Sequence, residues 1–186
     1  MRASLRAALE LVAGAWRVGM LDGRWLPDLA VDLMLAGVEP PSLVELAGLD
    51  LGPFDPRDAG DLLVAAFDEL DLPMPDRDQA FVTATAFVAW ALHTGNVPPR
   101  DAVRWAYRSC VQWDPPPGPP ELFRLRDLDD DYSLAERGIS VRSIEDVDDD
   151  VRVLAARLVA DATSDANRWT SEPWAAHVMD LVVLVV

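Results

Sequence analysis

Two runs of aspartate at alternate positions have the spacing closest to a binding site in this chain. They are Asp127-x-Asp129-x-Asp131 and Asp146-x-Asp148-x-Asp150. Oxygens at alternate positions open a calcium loop, which also needs glycine at position six and glutamate at position twelve. Those places hold Tyr132 and Gly138 in the first run, and Val151 and Arg157 in the second. We therefore expect no bound metal here. The second run instead suits the positive end of a helix dipole.

The residue types of the chain give little indication of a catalytic nucleophile or of a cofactor site. Cys110 is the only cysteine, and it shares an apolar stripe with Val103 and Tyr107, which predicts a buried and inert thiol. The chain contains no lysine, no glycine-rich phosphate loop and no nucleophile elbow. The only two histidines, His93 and His177, do not form a metal-ligand cluster. We predict no catalytic residue, no cofactor and no metal site.

An enzyme that uses only carboxylates is the first alternative left open. Two acids can meet from distant parts of a fold, with magnesium or calcium between them, and no motif excludes this. The pair Glu145-x-x-Asp148 is a spaced acidic pattern of that kind, but one such pair has little weight in a chain with 32 acidic residues.

The charge balance decides which partners are plausible. Sixteen basic residues, all of them arginine, face 32 acidic residues, for a formal net charge of −16. Such a charge repels phosphate backbones and anionic lipid surfaces, so we expect no nucleic-acid partner and no membrane partner. It favours a basic protein partner through long-range attraction. The alternative interpretation is that the acidity serves solubility alone.

The sequence predicts that the elements carrying these residues are helices. Apolar residues recur at helical spacing, and strand alternation is nearly absent, which predicts an all-α fold of about eight helices. We expect Gly37 and Gly48 to end two helices in the left-handed conformation. Asp55-Pro56 and the pair Asp76/Gln79 should each begin a helix. The stretch Ala80–Leu92 carries no charge and is predicted to be the central helix.

A proline-rich connector at 114–120 divides the sequence. We predict that residues 1–186 form a single domain wrapped around one core. The alternative is a subdivision into 1–113 and 121–186. After the connector we expect a short helix over 121–131, a loop over 131–142, and a long helix that begins after Ser143.

The C-terminal segment Val178–Val186 is apolar at eight of nine positions. It predicts one of three placements: burial in the core, a short C-terminal strand, or a contact in a homo-oligomer. The last of these is the second alternative function, a structural or oligomeric accessory subunit. We see no signal peptide and no apolar run long enough to span a membrane, so we expect a cytoplasmic protein.

Two segments carry a resemblance. The run 33–49, with Leu-Ala-Gly at both ends, and the helix–Gly95–helix pattern of 80–105 resemble uncharacterised small all-α acidic proteins of GC-rich bacteria. The resemblance implies an immunity or accessory role and transfers no functional residue.

We therefore predict a non-enzymatic, acidic protein-binding domain, in its sharpest form an immunity-type inhibitor of a basic toxin or enzyme. Acidic residues beside aromatic ones would form the contact, with the carboxylates meeting arginine or lysine and the aromatic rings holding the complex. The predicted partner-binding residues are Trp113, Asp129, Asp130, Asp131 and Tyr132.

Overall fold

The computed structural model describes residues 3–49, 55–112 and 118–169, with side chains described only as far as residue 160. Within these ranges the chain forms eight α-helices, a 3₁₀ turn at Gly23–Trp25 and no strand. The helices are α1 (Ala3–Arg17), α2 (Leu26–Leu35), α3 (Pro41–Gly48), α4 (Pro56–Glu69), α5 (Arg77–His93), α6 (Pro99–Gln112), α7 (Pro120–Glu136) and α8 (Ile144–Trp169). The predicted all-α fold is confirmed. The apolar segment Val178–Val186 lies outside the described residues.

Helix α5 lies at the centre of the core, as its uncharged sequence predicts. It packs against α1, α6 and α8, and its buried side chains include Phe81, Phe87 and Leu92. The helix begins with the predicted capping box. The Asp76 carboxylate accepts from the Gln79 amide at 2.9 Å, and the Gln79 side chain accepts from the Asp76 amide at 3.1 Å.

Other helix ends follow their local sequence, with one exception. The Asp55 carboxylate caps α4 by accepting from the Arg57 amide at 2.9 Å. Gly37 and Gly95 have φ angles of 88° and 78°, the left-handed conformation that ends a helix. The prediction for Gly48 is wrong, because this residue is the last helical one in α3 and has no positive φ. Glycine permits the left-handed conformation but does not impose it.

A glycine inside α4 allows close packing with α1. A Cβ atom added at Gly60 would lie 2.4 Å from Cζ2 of the Trp16 indole. No side chain fits at that separation, so the Trp16 indole can lie against α4 here only because residue 60 has no side chain. At the other end of α4, the exposed Glu69 accepts from the amide and hydroxyl of Ser42, at 3.0 and 2.7 Å. That contact ties α4 to the first turn of α3.

Helices from both sides of the proline-rich connector pack against each other. α7 lies against α6, and α8 lies against α1, α5, α6 and α7. Pro120, predicted to close the connector, is instead the first residue of α7. The short helix predicted over 121–131 runs on to Glu136, and the loop predicted over 131–142 is correspondingly shorter. The helix continues because Tyr132 extends the buried stripe of Leu122 and Leu125.

No helix within the described ranges has a stretch long and apolar enough to cross a lipid bilayer.

Candidate functional site

The turn between α7 and α8 is built by two strong local signals. Helix α7 ends in a Schellman motif: the Gly138 amide donates to the Ala135 carbonyl and the Ile139 amide to the Leu134 carbonyl, each at 3.0 Å. Gly138 has a φ of 66°, which the motif requires at that position. A Schellman turn typically brings the side chains at the two ends of the longer bond together, here Leu134 and Ile139.

Helix α8 begins with the predicted Ser143 cap. The Ser143 hydroxyl accepts from the Asp146 amide at 3.1 Å. The Asp146 carboxylate in turn accepts from the Ser143 amide at 2.7 Å and from its hydroxyl at 2.9 Å. These bonds, first to the amide and then to the hydroxyl, lower the pKa of Asp146. The turn therefore enters α8 in one fixed direction.

Arg142 joins the two helices across the turn. Its guanidinium pairs with Asp131 of α7 at 2.8 Å and with Asp150 of α8, and it donates to the Asp146 carbonyl at 3.3 Å. The nearby carboxylates, Asp150 foremost, raise the pKa of Arg142. One cation thus holds acids from two helices at fixed positions.

Arg100 of α6 forms a second ionic contact with α7. Its guanidinium lies 2.5 Å from an Asp129 carboxylate oxygen, and its Nε lies 3.2 Å from Glu136 without hydrogen-bond geometry. The same guanidinium lies 4.8 Å from the centre of the Tyr132 ring, a cation–π separation. Because the side chain of Asp129 is only 19 % exposed, this pair is better shielded from water than the other ion pairs of the turn.

Tyr132 is fully buried and connects α7 to α8. Its hydroxyl donates a short hydrogen bond to Asp148, and Asp148 also lies 3.4 Å from Arg152. Burial, and then the bond to the Asp148 carboxylate, raise the pKa of Tyr132 well above its ordinary value.

These contacts place the predicted partner-binding residues in different situations. Asp129 and Asp131 pair with arginines of the chain itself, and Tyr132 faces the interior rather than a partner. Asp130 is exposed, and its side chain makes no hydrogen bond or ion pair with any described residue. Trp113 lies outside the described residues. Partner binding by this set stays a prediction, with Asp130 as its most accessible member.

The segment 127–150, here named the acidic hairpin, concentrates the charge of the chain. It holds ten acidic residues and two arginines, a formal charge of −8 that is half of the total. Most of these acids point outward, and Asp149 is 77 % exposed. Like that of Asp130, the exposed side chain of Glu145 makes no hydrogen bond or ion pair with another described residue. Arg100, Arg126 and Arg152 lie outside the segment and also pair with its acids, so ten acids and five arginines leave a local excess of negative charge at this end of the molecule.

An exposed aliphatic cluster at the tip of the hairpin is a feature that the sequence reading missed. We name it the apolar tip; its residues are Leu134 (41 % exposed), Ile139 (67 %), Val141 (105 %) and Ile144 (47 %). Eleven large hydrophobic side chains are exposed in the described ranges, and these four fall within eleven consecutive positions. The sequence signal was available, because aliphatic residues flank Gly138 where a solvent-facing turn should be polar.

The alternate aspartates lie on helices and not in a calcium-type loop. On a helix, side chains two residues apart point in different directions. Among the described residues, no group of three or more His, Cys, Asp or Glu side chains could hold an ion.

Cys110 is buried, as predicted, and burial raises its pKa, which keeps the thiol protonated and unreactive at neutral pH. The predicted helix-end residue His93 is exposed and borders an open groove of about 500 Å³ with Val153 and Arg152.

Comparison of the chain with protein families, with curated proteins and with solved structures gives no match.

Proposed function

We propose that this chain is a non-enzymatic binding protein for a basic protein partner, and that the acidic hairpin is its contact region. The observation that carries the proposal is the concentration of half of the formal net charge in 24 residues of an exposed helical hairpin. Attraction between opposite fields speeds the encounter of two proteins and suppresses wrong partners.

The internal ion pairs support this role because they hold some acids in place and leave others, such as Asp130 and Glu145, unpaired. Arg142 holds Asp131 and Asp150, yet the hairpin keeps eight acids in excess of its arginines. Carboxylates already fixed in place lose little side-chain entropy when a partner binds.

The sharper form of the proposal is an immunity-type inhibitor, which would hold a basic toxin or enzyme inactive in the cytoplasm of a bacterium. The net charge of −16 supports this form, since it would match a basic target.

The test is purification of the tagged full chain from the organism that encodes it, identification of the bound protein, and reconstitution of the purified pair. We expect a partner of net positive charge whose association slows as salt rises. If that partner is an enzyme, a stoichiometric amount of the chain should abolish its activity.

A matched pair of variants assigns the contact to the hairpin. Asp130→Asn with Glu145→Gln removes two exposed charges from the hairpin, and Asp61→Asn with Glu45→Gln removes two from α4 and α3. We expect the hairpin variant to lower the association rate several-fold at low salt and the control to change it little. A partner of net negative charge, or equal effects of the two variants, would contradict the proposal.

A further inference from the structure

We infer that the apolar tip is the anchor of the proposed contact, and that its partner presents a concave apolar cleft bordered by arginine or lysine. This inference rests on the proposed function and deepens it. The aliphatic side chains would hold the complex together, and the acids around them would speed its formation. Interfaces commonly combine a buried apolar centre with a polar rim in this way.

The two most exposed side chains of the tip contribute little to the core. Val141 is fully exposed and Ile139 is two-thirds exposed, so neither stabilises the core by burial. Single exposed aliphatic residues are normal on protein surfaces, whereas a cluster within a rim of charge is typical of an interaction site. The rim here includes Glu136, Glu145 and Asp146, which are exposed on either side of the tip.

The tip is also held rigid, which favours tight binding. The Schellman motif fixes Ile139, the Ser143 capping box fixes the start of α8, and Arg142 ties the helices together. Val141 lies between these constraints, next to Arg142, whose amide donates to the Ser140 hydroxyl at 3.0 Å. A surface that is already ordered loses less entropy on association than a flexible loop.

The negative charge of the acidic hairpin decides which kind of protein can bind at the apolar tip. A second copy of this chain would bring another hairpin of formal charge −8 against the first, and like charges at an interface are strongly unfavourable. A basic protein would instead be attracted electrostatically to the hairpin. An aliphatic tip that projects from a helical hairpin fits a cleft better than a flat surface, because a cleft removes all four side chains from water.

The first experiment places a photo-crosslinking residue in the full chain in its native host. p-Benzoylphenylalanine replaces Val141 in one variant and Leu35 of α2, which is 82 % exposed, in the control. We expect the variant at 141 to crosslink to one basic protein that the control does not capture. Crosslinking of position 141 to a second copy of this chain, or to nothing, would overturn the inference.

The second experiment measures the purified pair by surface plasmon resonance. Ile139→Ser with Val141→Ser should weaken binding roughly tenfold or more, mainly through faster dissociation. The control, Leu35→Ser with Val44→Ser, changes two other exposed aliphatic residues, in α2 and α3, and should stay within about twofold.

The outcomes separate the two proposals. If the charge variants slow association while the tip variant binds normally, the anchor assignment fails and the acidic contact stands. If neither set of variants alters binding, both proposals fail. Circular dichroism of each variant confirms that a loss of binding does not come from unfolding.

Discussion

Helix α5 and the acidic hairpin are assembled on opposite principles within one chain. α5 carries no charge between Ala80 and Leu92, and helices α1, α6 and α8 cover it. The hairpin carries a formal charge of −8 and is held by Arg100, Arg142 and the buried hydroxyl of Tyr132. Apolar packing stabilises α5. Ionic and capping contacts fix the shape of the acidic hairpin and leave the aliphatic side chains of its tip exposed to water. The comparison thus distinguishes a region that stabilises the fold from one that is available for binding.

The largest expected effect lies in the core. Phe87→Ala should lower the free energy of unfolding by about 3–5 kcal/mol, because Phe87 is buried in α5 and its loss leaves a cavity. Val82→Ala on the exposed side of the same helix should cost about 0.5 kcal/mol or less. Urea denaturation measures both. Similar values for the two variants would remove the distinction between a packed centre and its surface.

The next effect tests the ionic hold on the hairpin. Arg100→Met should cost about 2 kcal/mol, because it leaves the shielded Asp129 without its cation and removes the contact with the Tyr132 ring. Arg104→Met, which breaks an exposed pair with Asp101 at 3.7 Å, should cost less than about 0.5 kcal/mol. Equal losses in urea denaturation would mean that the shielding of Arg100 has no energetic consequence.

A smaller effect carries a pH signature. Tyr132→Phe should cost about 1 kcal/mol at neutral pH through loss of the bond to Asp148. Because the folded state raises the pKa of Tyr132, an unfolded chain loses this proton first, near pH 10. Stability from this group is thus complete below about pH 10 and falls as pH rises above that value.

The variant should therefore lose less stability than the wild type between about pH 9 and pH 11. The control is Tyr107→Phe, which changes the only other tyrosine, an exposed one. Parallel pH profiles for wild type and Tyr132→Phe would show that the buried hydroxyl is not the titrating group.

The smallest effect concerns the apolar tip. Val141→Ser should change the free energy of unfolding by less than about 0.5 kcal/mol, because the side chain is fully exposed. Thermal and urea denaturation check this. A loss above about 1 kcal/mol would mean that Val141 packs in the fold, and the tip would then lose its claim to be a binding anchor.

Local signals were readable from the sequence, and contacts between distant residues were not. The cap at Asp76, the uncharged α5 and the start of α8 each depend on a few neighbouring residues, and all three predictions are confirmed. The end of α7 was missed because the aspartate run resembled a loop. The helical spacing from Leu125 through Leu128 to Tyr132 would have corrected it.

The geometry of the site depended on information that the sequence does not carry. Arg100 and Asp129 are 29 positions apart, and no spacing rule pairs one arginine among sixteen with one acid among 32. Exposure of the apolar tip is likewise a property of packing, since Ile139 and Leu43 have similar chemistry but only the second is buried. Charge predicted the kind of partner, and only the fold identified a surface for it.

The burial of Cys110 has a practical consequence. With its thiol enclosed and protonated, the native chain offers almost no background to maleimide dyes at neutral pH. A single cysteine introduced at an exposed position beside the tip, such as 137, would then carry one fluorophore per molecule. The arrival of any cationic protein at that end of the molecule could be followed in real time by the change in emission.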